Sequence, residues 1–539
     1  MAIVATGPYP VPLRAADIPA SAPAPGFAPA LAPAPAPALA PGPAPGPAHA
    51  ATATRRSNGS TAVMRVSVSV ESMDWKQPYN RSLMASSMGS AFVLAGLHED
   101  DAAVTADGSD GSFLLVTAYH VIERAKQFLV RVEGRVSQLV MSELVACNPD
   151  LDVALLRVPI ALPAGIRPLA LGDSDAVAPL DRVQVQGYAS GTPYLQYTTG
   201  VISGRTPIKL QIDAAVNGGN SGGPVLCSER GCMLGVVTHS TVNRQNMNYA
   251  CPINEAVASL RRAVRAGVRC EHPPSLNAKL TPTPQVMLER LGLIHGGTCS
   301  YVHPASSAHA AGLRRGDVVT RLGEYDVHFD CIVRPRFWDG PVLYTAVVLR
   351  GATGDAVALE YVRDADQVAV RTQVTLEPSR NVFRDTWPEL DGARFCAHGG
   401  LVVQPLLPNH IRGNTEFQSR FAYLMMNPDL KMHSVLVVTH VTADSPFSRS
   451  NGVRAGDVVL ALNGAPMHVA GADPFNQYVR AWGVVDLSAP GAVHIAMRDG
   501  NAVAASHADL RAVDLALREQ RVPLVAQNRA AERKTVAGR

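Results

Sequence analysis

Ser221 sits in Gly219-Asn220-Ser221-Gly222-Gly223-Pro224, between two apolar, strand-like runs. Glycines crowd a serine in this way when the backbone turns sharply and aims its amides at one point. Acyl transfer needs that geometry: a nucleophilic hydroxyl beside N–H groups that receive a developing oxyanion. A serine hydroxyl is a weak nucleophile at neutral pH. A base must take its proton, and a carboxylate must fix the tautomer of that base. Upstream, His120 closes the apolar run Leu114-Leu115-Val116-Thr117-Ala118-Tyr119, and Asp152 opens Asp152-Val153-Ala154-Leu155-Leu156. Each block alone has a plain structural reading: a glycine-rich hairpin, a histidine at a strand end, an aspartate capping a turn. Their occurrence together, in the order His120, Asp152, Ser221, makes a nucleophilic site the better reading. Asp150 competes for the carboxylate role; the strand that follows Asp152 directly favours Asp152.

The elements that position these residues read as short strands. Val63 to Val70, Gly89 to Leu94, Leu114 to Val121, Phe128 to Val132, Asp152 to Val158, Val183 to Gly187 and Thr199 to Ile202 precede the serine block, and Met233 to Thr238 and Tyr249 to Ile253 follow it. Many short strands with turn residues between them predict an all-β barrel or sandwich. His98 to Ser112, rich in Glu, Asp, Gly and Ser, reads as an exposed insertion. A helix capped by Asn254, with Val257, Leu260 and Val264 on one face, closes this region. Residues 272–284 read as a linker. Beyond them Ala311-Gly312-Leu313-Arg314-Arg315-Gly316-Asp317-Val318-Val319 returns as Asn451-Gly452-Val453-Arg454-Ala455-Gly456-Asp457-Val458-Val459, which predicts two related small modules. After about residue 490 come an amphipathic helix (Leu510, Val513, Leu517) and a basic end.

The 539 residues have room for three or four domains. A net charge of +3 is too small to argue for nucleic acid or an anionic membrane, and no apolar run is long enough to span a bilayer. Met1 to Asp17, broken by Pro8, Pro10 and Pro12, does not read as a secretory signal, which favours an intracellular location. Residues 18–52 are nearly all Ala and Pro, a polyproline-prone tether that cannot bury a core. The eight cysteines do not form a disulfide framework. A bond between Cys227 and Cys232 across their hairpin is geometrically possible, with free thiols favoured. No metal-ligand spacing occurs, and the chemistry requires no cofactor.

Thr117-Ala118-x-His120, Asp152-Val153-Ala154-Leu155-Leu156 and Gly219-Asn220-Ser221-Gly222-Gly223-Pro224 resemble the three catalytic blocks of trypsin-like serine proteases. Gln211-Ile212-Asp213-Ala214-Ala215 before the serine block, and the repeated modules after it, are similar to the HtrA/Deg group. Trp75 to Tyr79 and Phe329-x-x-Ile332 to Arg336 look closest to its eukaryotic members. The resemblance covers roughly residues 61–485. It implies a mainly β chain: an Ala/Pro-rich tail (1–60), a trypsin-like double β-barrel (61–268), a linker (269–284), a PDZ-like α+β module (285–378), a divergent second one (395–490) and a C-terminal helix and tail (491–539). It further implies a serine endopeptidase acting through an acyl-enzyme on unfolded or damaged protein, working as a trimer-based homo-oligomer. His120, Asp152 and Ser221 would be catalytic, with the N–H groups of Gly219 and Ser221 as oxyanion hole. Ala215 would lie at the base of the primary pocket and His239 in its wall, and the lack of a carboxylate there argues against Lys or Arg specificity. Leu291-Gly292-Leu293-Ile294 resembles a PDZ carboxylate loop, with His398-Gly399-Gly400-Leu401-Val402 a weaker candidate in the second module. Gly218 stands where the group often has proline, which predicts a more flexible oxyanion loop with a larger inactive population. The competing reading is a catalytically latent scaffold that works by peptide binding.

Overall fold

The computed structural model describes residues 62–95, 111–132, 138–240, 247–338, 340–426 apart from 364, 366 and 382, 434–449, 452–468, and 473–526 apart from 499. The Ala/Pro tail, most of the 98–112 insertion and the C-terminal end lie outside them.

Six strands close the first barrel: β1 (Val63–Met73), β2 (Arg81–Phe92), β3 (Phe113–Thr117), β4 (Ala125–Val132), β5 (Gln138–Asn148) and β6 (Val153–Val158), in the order β1-β2-β3-β6-β5-β4. Six more close the second: β7 (Arg182–Gly187), β8 (Gln196–Thr206), β9 (Lys209–Ile212), β10 (Pro224–Cys227), β11 (Met233–Ser240) and β12 (Asn248–Pro252), in the order β10-β11-β12-β9-β8-β7. Closure removes the sheet edges that such short strands would otherwise expose. The inward faces are β-branched and aliphatic: Val66, Val130, Ala154 and Leu156 fill the first barrel, Val185, Ile202, Ile212 and Val237 the second. A single helical turn, α1 (Tyr119–Ile122), follows β3, and a longer helix, α2 (Ile253–Arg265), follows β12. Pro252, not Asn254, stands at the cap of α2. Asn254 instead donates from Nδ2 to Asp173, so its side chain ties the helix to a neighbouring turn.

The stretch 269–284, expected as a linker, contains the strands Pro274–Ser275 and Ala278–Thr281. Ala278–Thr281 is the outer strand of a sheet continuing through Gly297–Val302, Val318–Leu322, Ala356–Val362 and Ala369–Thr375. The prolines at Pro273, Pro274, Pro282 and Pro284 concealed it, since a four-residue edge strand among them has little pattern to read. The second module likewise runs past residue 490. Ala492–Met497 and Ala502–Ser506 pair as strands before the helix His507–Glu519. The sequence repeat is one structural device used twice. Asp317 accepts from the Arg314 N–H at 2.8 Å, and Asp457 from the Arg454 N–H at 2.8 Å. The Gly316 and Gly456 N–H groups bond back to Cys299 and Val438 at 2.8 and 2.7 Å.

Side chains tie the modules to the barrels. Arg350, from the helix Tyr344–Arg350, reaches Glu255 on α2 through Nε (2.7 Å) and Asp175 through Nη2 (2.8 Å). The second module grips the β1–β2 turn: Gln404 Nε2 donates to the Trp75 carbonyl and Thr439 Oγ1 to that of Lys76, each at 2.9 Å. Burial raises the Glu255 carboxyl while Arg350 opposes the shift. Arg350→Ala would leave that carboxylate buried without its cation, a loss of about 3–5 kcal/mol where a buried pair is broken. The urea unfolding midpoint should fall, and an unchanged midpoint would show that this contact does not hold the first module.

Candidate active site

His120 lies on α1, a turn too short to hold itself together and lacking a side-chain cap at Ala118. Asp152 supplies what is missing. Its Oδ1 accepts from the His120 N–H at 2.8 Å and its Oδ2 contacts His120 Nδ1 at 2.7 Å. Asp152 reaches this position in the left-handed region (φ 58°), which aspartate tolerates better than most residues. Asp150 makes no such bond to His120; burial raises its carboxyl, near His272 and Arg384. Burial alone would depress His120, but the bond and the charge of Asp152 outweigh it and hold the imidazole above its ordinary pKa. Fixing Nδ1 on the carboxylate leaves Nε2 as the nitrogen that can exchange a proton with a substrate or nucleophile.

The Ser221 turn is pressed against the same region. A Cβ on Gly222 (φ 79°) would come within 2.2 Å of the Ser90 carbonyl and 2.8 Å of the Ala118 nitrogen, so only glycine fits there. Gly219 (φ 101°) is packed as closely on the Tyr188 carbonyl. The Gly218 carbonyl accepts from the Ser190 N–H. In a trans peptide C=O and N–H point in opposite directions, so this bond turns the Gly219 N–H the other way. The Gly219 carbonyl accepts from Ser90 Oγ at 2.7 Å. Among the described residues no acceptor takes the Gly219 or the Ser221 N–H. Two amides are therefore left over in a turn whose carbonyls are fastened from outside, the arrangement an oxyanion site needs. Gly218 itself touches nothing a side chain would hit. Ser221 Oγ donates to the Thr238 carbonyl at 3.3 Å, a long bond that is easily given up.

Ala215 is exposed, its carbonyl accepting from Thr198 Oγ1 at 2.8 Å. His239 lies on β11, with its side chain outside the described residues. Cys227 and Cys232 are free thiols; their hairpin closes on the Cys227 N–H to Cys232 carbonyl bond at 2.9 Å.

Leu291, Gly292 and Leu293 sit at a helix end. The helix Gln285–Leu291 stops at Gly292 (φ 64°), and the N–H groups of Gly292 and Leu293 bond back to Glu289 and Leu288 at 3.1 and 2.9 Å. This is a Schellman termination, and it uses the amides that a carboxylate loop would have to offer. One of the two outer strands of that module's sheet is Ala278–Thr281. Tyr344 covers it, its hydroxyl accepting from the Leu280 N–H (3.1 Å) and donating to the Ala278 carbonyl (3.3 Å). In the second module Asp514 accepts from the Gly399 N–H at 2.6 Å and contacts His398 Nδ1 at 2.8 Å. The strand after that loop, Leu401–Pro405, has neighbours on both sides.

Sequence reasoning missed Ser90, Tyr344 and Asp514. Ser90 carried one signal, the glycine before it; the other two had none.

A family model for the trypsin-like peptidase domain matches residues 89–236. A Haemophilus influenzae protein described as a "probable periplasmic serine protease do/HhoA-like" is 25% identical over 371 residues, 64% of this chain and 74% of the relative. The chloroplastic protease Do-like 2 of Arabidopsis thaliana is 26% identical over 377 residues, 64% and 55% of the two chains. The periplasmic serine endoprotease DegP of Salmonella typhimurium is 25% identical over 375 residues, 66% of each. A solved structure of the HtrA-type protease AlgW with a tripeptide aligns with 59% of this chain and 94% of its own at a TM-score of 0.44 and 22% identity. Two closed barrels and the matched peptidase domain make this chain a serine-type endopeptidase of trypsin-like fold. Within that class, the relatives it is similar to are proteases of the Do and DegP type, which supports an HtrA/Deg-type reading. They give no support to a non-catalytic scaffold.

Ser90→Ala should cost about 1–3 kcal/mol, since two buried backbone groups, the Gly219 carbonyl and the Tyr188 N–H, lose the hydroxyl they share. Chemical denaturation measures it; a change within a few tenths would mean that the two groups find other partners.

Proposed function

We propose that Ser221 is the nucleophile, His120 its general base and Asp152 the carboxylate that orients the base. In the acylation step His120 Nε2 takes the hydroxyl proton as Ser221 Oγ attacks the scissile carbonyl carbon. The developing oxyanion is received by the Gly219 and Ser221 N–H groups. The proton then passes from the imidazolium to the leaving amine, and water hydrolyses the acyl-enzyme by the reverse sequence. The observation that carries this reading is the double bond-pair of Asp152 to the His120 backbone and ring, beside a serine turn with two unclaimed amides. Substrates would be extended segments of unfolded or damaged protein. With Ala215 and no carboxylate at the proposed pocket base, small aliphatic residues would fit better than basic ones. The PDZ-like modules would serve chiefly in assembly, including an oligomer. Tyr344 and Asp514 already occupy the backbone groups through which an added strand or terminal carboxylate would bind.

A fluorophosphonate probe should label the protein in a Ser221-dependent manner, and Ser221→Ala should abolish labelling. Labelling that survives in Ser221→Ala, or is absent from the native protein even with unfolded casein present, would overturn the assignment.

The base must be neutral to act, and Asp152 raises the pKa at which it becomes so. Activity should therefore fall as pH drops through a midpoint above the ordinary histidine value of about 6.5. Asp152→Asn should shift that midpoint down and lower kcat by about 10⁴-fold. A profile with the same midpoint in both proteins would refute the pairing.

A further inference from the structure

The turn that carries His120 is held from a second direction, by the segment connecting the two PDZ-like modules. Glu389 Oε1 accepts from the Tyr119 hydroxyl at 2.6 Å and from the Arg124 N–H at 2.9 Å. Tyr119 immediately precedes His120, and Arg124, in the left-handed region (φ 60°), stands just past the end of α1. One carboxylate oxygen thus clamps both flanks of a four-residue turn that has no cap of its own. Burial and the Glu389 charge push the Tyr119 phenol up, which keeps it a donor.

The clamp is preorganised. Trp387 stands edge-on to Tyr119 (ring centroids 6.0 Å apart), and Trp387 and Leu390 pack on the core of the first barrel. Arg384 Nη2 holds Asp391 Oδ1 at 2.7 Å, and Asp391 Oδ2 accepts from the Trp387 N–H at 3.0 Å. The Leu390 and Asp391 N–H groups both bond to the Trp387 carbonyl. Residues 384–391 therefore form a closed turn that presents Glu389 on a fixed base. Some 270 residues separate Tyr119 from Glu389 in the chain, so only the docking of this connector brings them together.

We propose that Glu389 is a positioning residue for His120, so that the seating of the connector between the two modules sets the alignment of the general base. The proposal rests on the reading of His120 as base. A base displaced by about 1 Å loses on the order of 10²-fold in rate, because proton transfer requires a narrow range of distance and angle. Glu389 touches no reacting atom. Its removal should lower the rate of serine acylation while leaving substrate binding as it was.

The test compares native protein, Glu389→Ala, Glu389→Gln and Tyr119→Phe, with Ser221→Ala as blank. Fluorophosphonate labelling rates and kcat and KM on fluorescein-casein are measured. Glu389→Ala should slow labelling and lower kcat by about 10- to 100-fold with KM within about twofold. Glu389→Gln should stay within about threefold of native protein, since its amide oxygen still accepts both bonds. Tyr119→Phe, which keeps the ring packed on Trp387, should show an intermediate loss even if Glu389→Ala folds poorly. Native rates in Glu389→Ala or in Tyr119→Phe would overturn the proposal, as would a loss confined to KM or one equally large in Glu389→Gln. Failure of the native protein to label would instead bring down the nucleophile assignment, and this proposal with it.

Discussion

Ser90 carries the constraint on which the site depends. Its N–H donates to the Ser221 carbonyl at 2.8 Å and its carbonyl accepts from Thr117 Oγ1 at 2.7 Å. Its hydroxyl donates to the Gly219 carbonyl and accepts from the Tyr188 N–H. Two bonds from this fully buried residue of the first barrel fasten the serine turn of the second, and the other two tie Ser90 itself to Thr117 and Tyr188. Unmet polar groups here would be expensive, because Ser90 and Tyr188 are buried. The glycines around Ser221 are the other half of the same constraint. With the turn pulled against Ser90, Thr117 and Tyr188, there is no room for a Cβ at Gly219 or Gly222.

Preorganisation follows from this anchoring. An oxyanion site works when its donors are already aimed before charge develops, so that nothing has to reorient during reaction. The Gly218 and Gly219 carbonyls are both engaged by residues outside the turn, and the two amides remain unclaimed. The Gly218 carbonyl, where flexibility was expected, is bonded to the Ser190 N–H, and the next carbonyl to Ser90 Oγ. The turn carrying His120 is held in the same manner. Asp152 and Glu389 both bond to α1 and its flanks, one from the barrel and one from the connector.

The modules show how a chain can keep sheet edges from pairing at random. An exposed edge strand is a template for any extended peptide. Here the Tyr344 hydroxyl takes the Leu280 N–H and the Ala278 carbonyl of the outer strand Ala278–Thr281, and Asp514 fills the cradle at His398-Gly399. The modules are also bound to the barrels by Arg350, Gln404 and Thr439.

The sequence alone determined the barrel architecture, and it supplied the candidate residues for chemistry and their order. Turn glycines, alternating strands and the repeated Gly-Asp turn are local patterns, and local patterns survive in one dimension. It also misled where the pattern was local but ambiguous. Leu291-Gly292-Leu293 has the composition of a carboxylate loop and the hydrogen bonds of a helix terminus, and a four-residue strand passed for linker. Tertiary structure alone decided which carboxylate meets His120, what holds the oxyanion turn, and that Tyr344, Asp514 and Glu389 matter. Each of those choices is a hydrogen bond between residues tens to hundreds of positions apart, and such a bond leaves no periodicity or spacing in the chain that makes it.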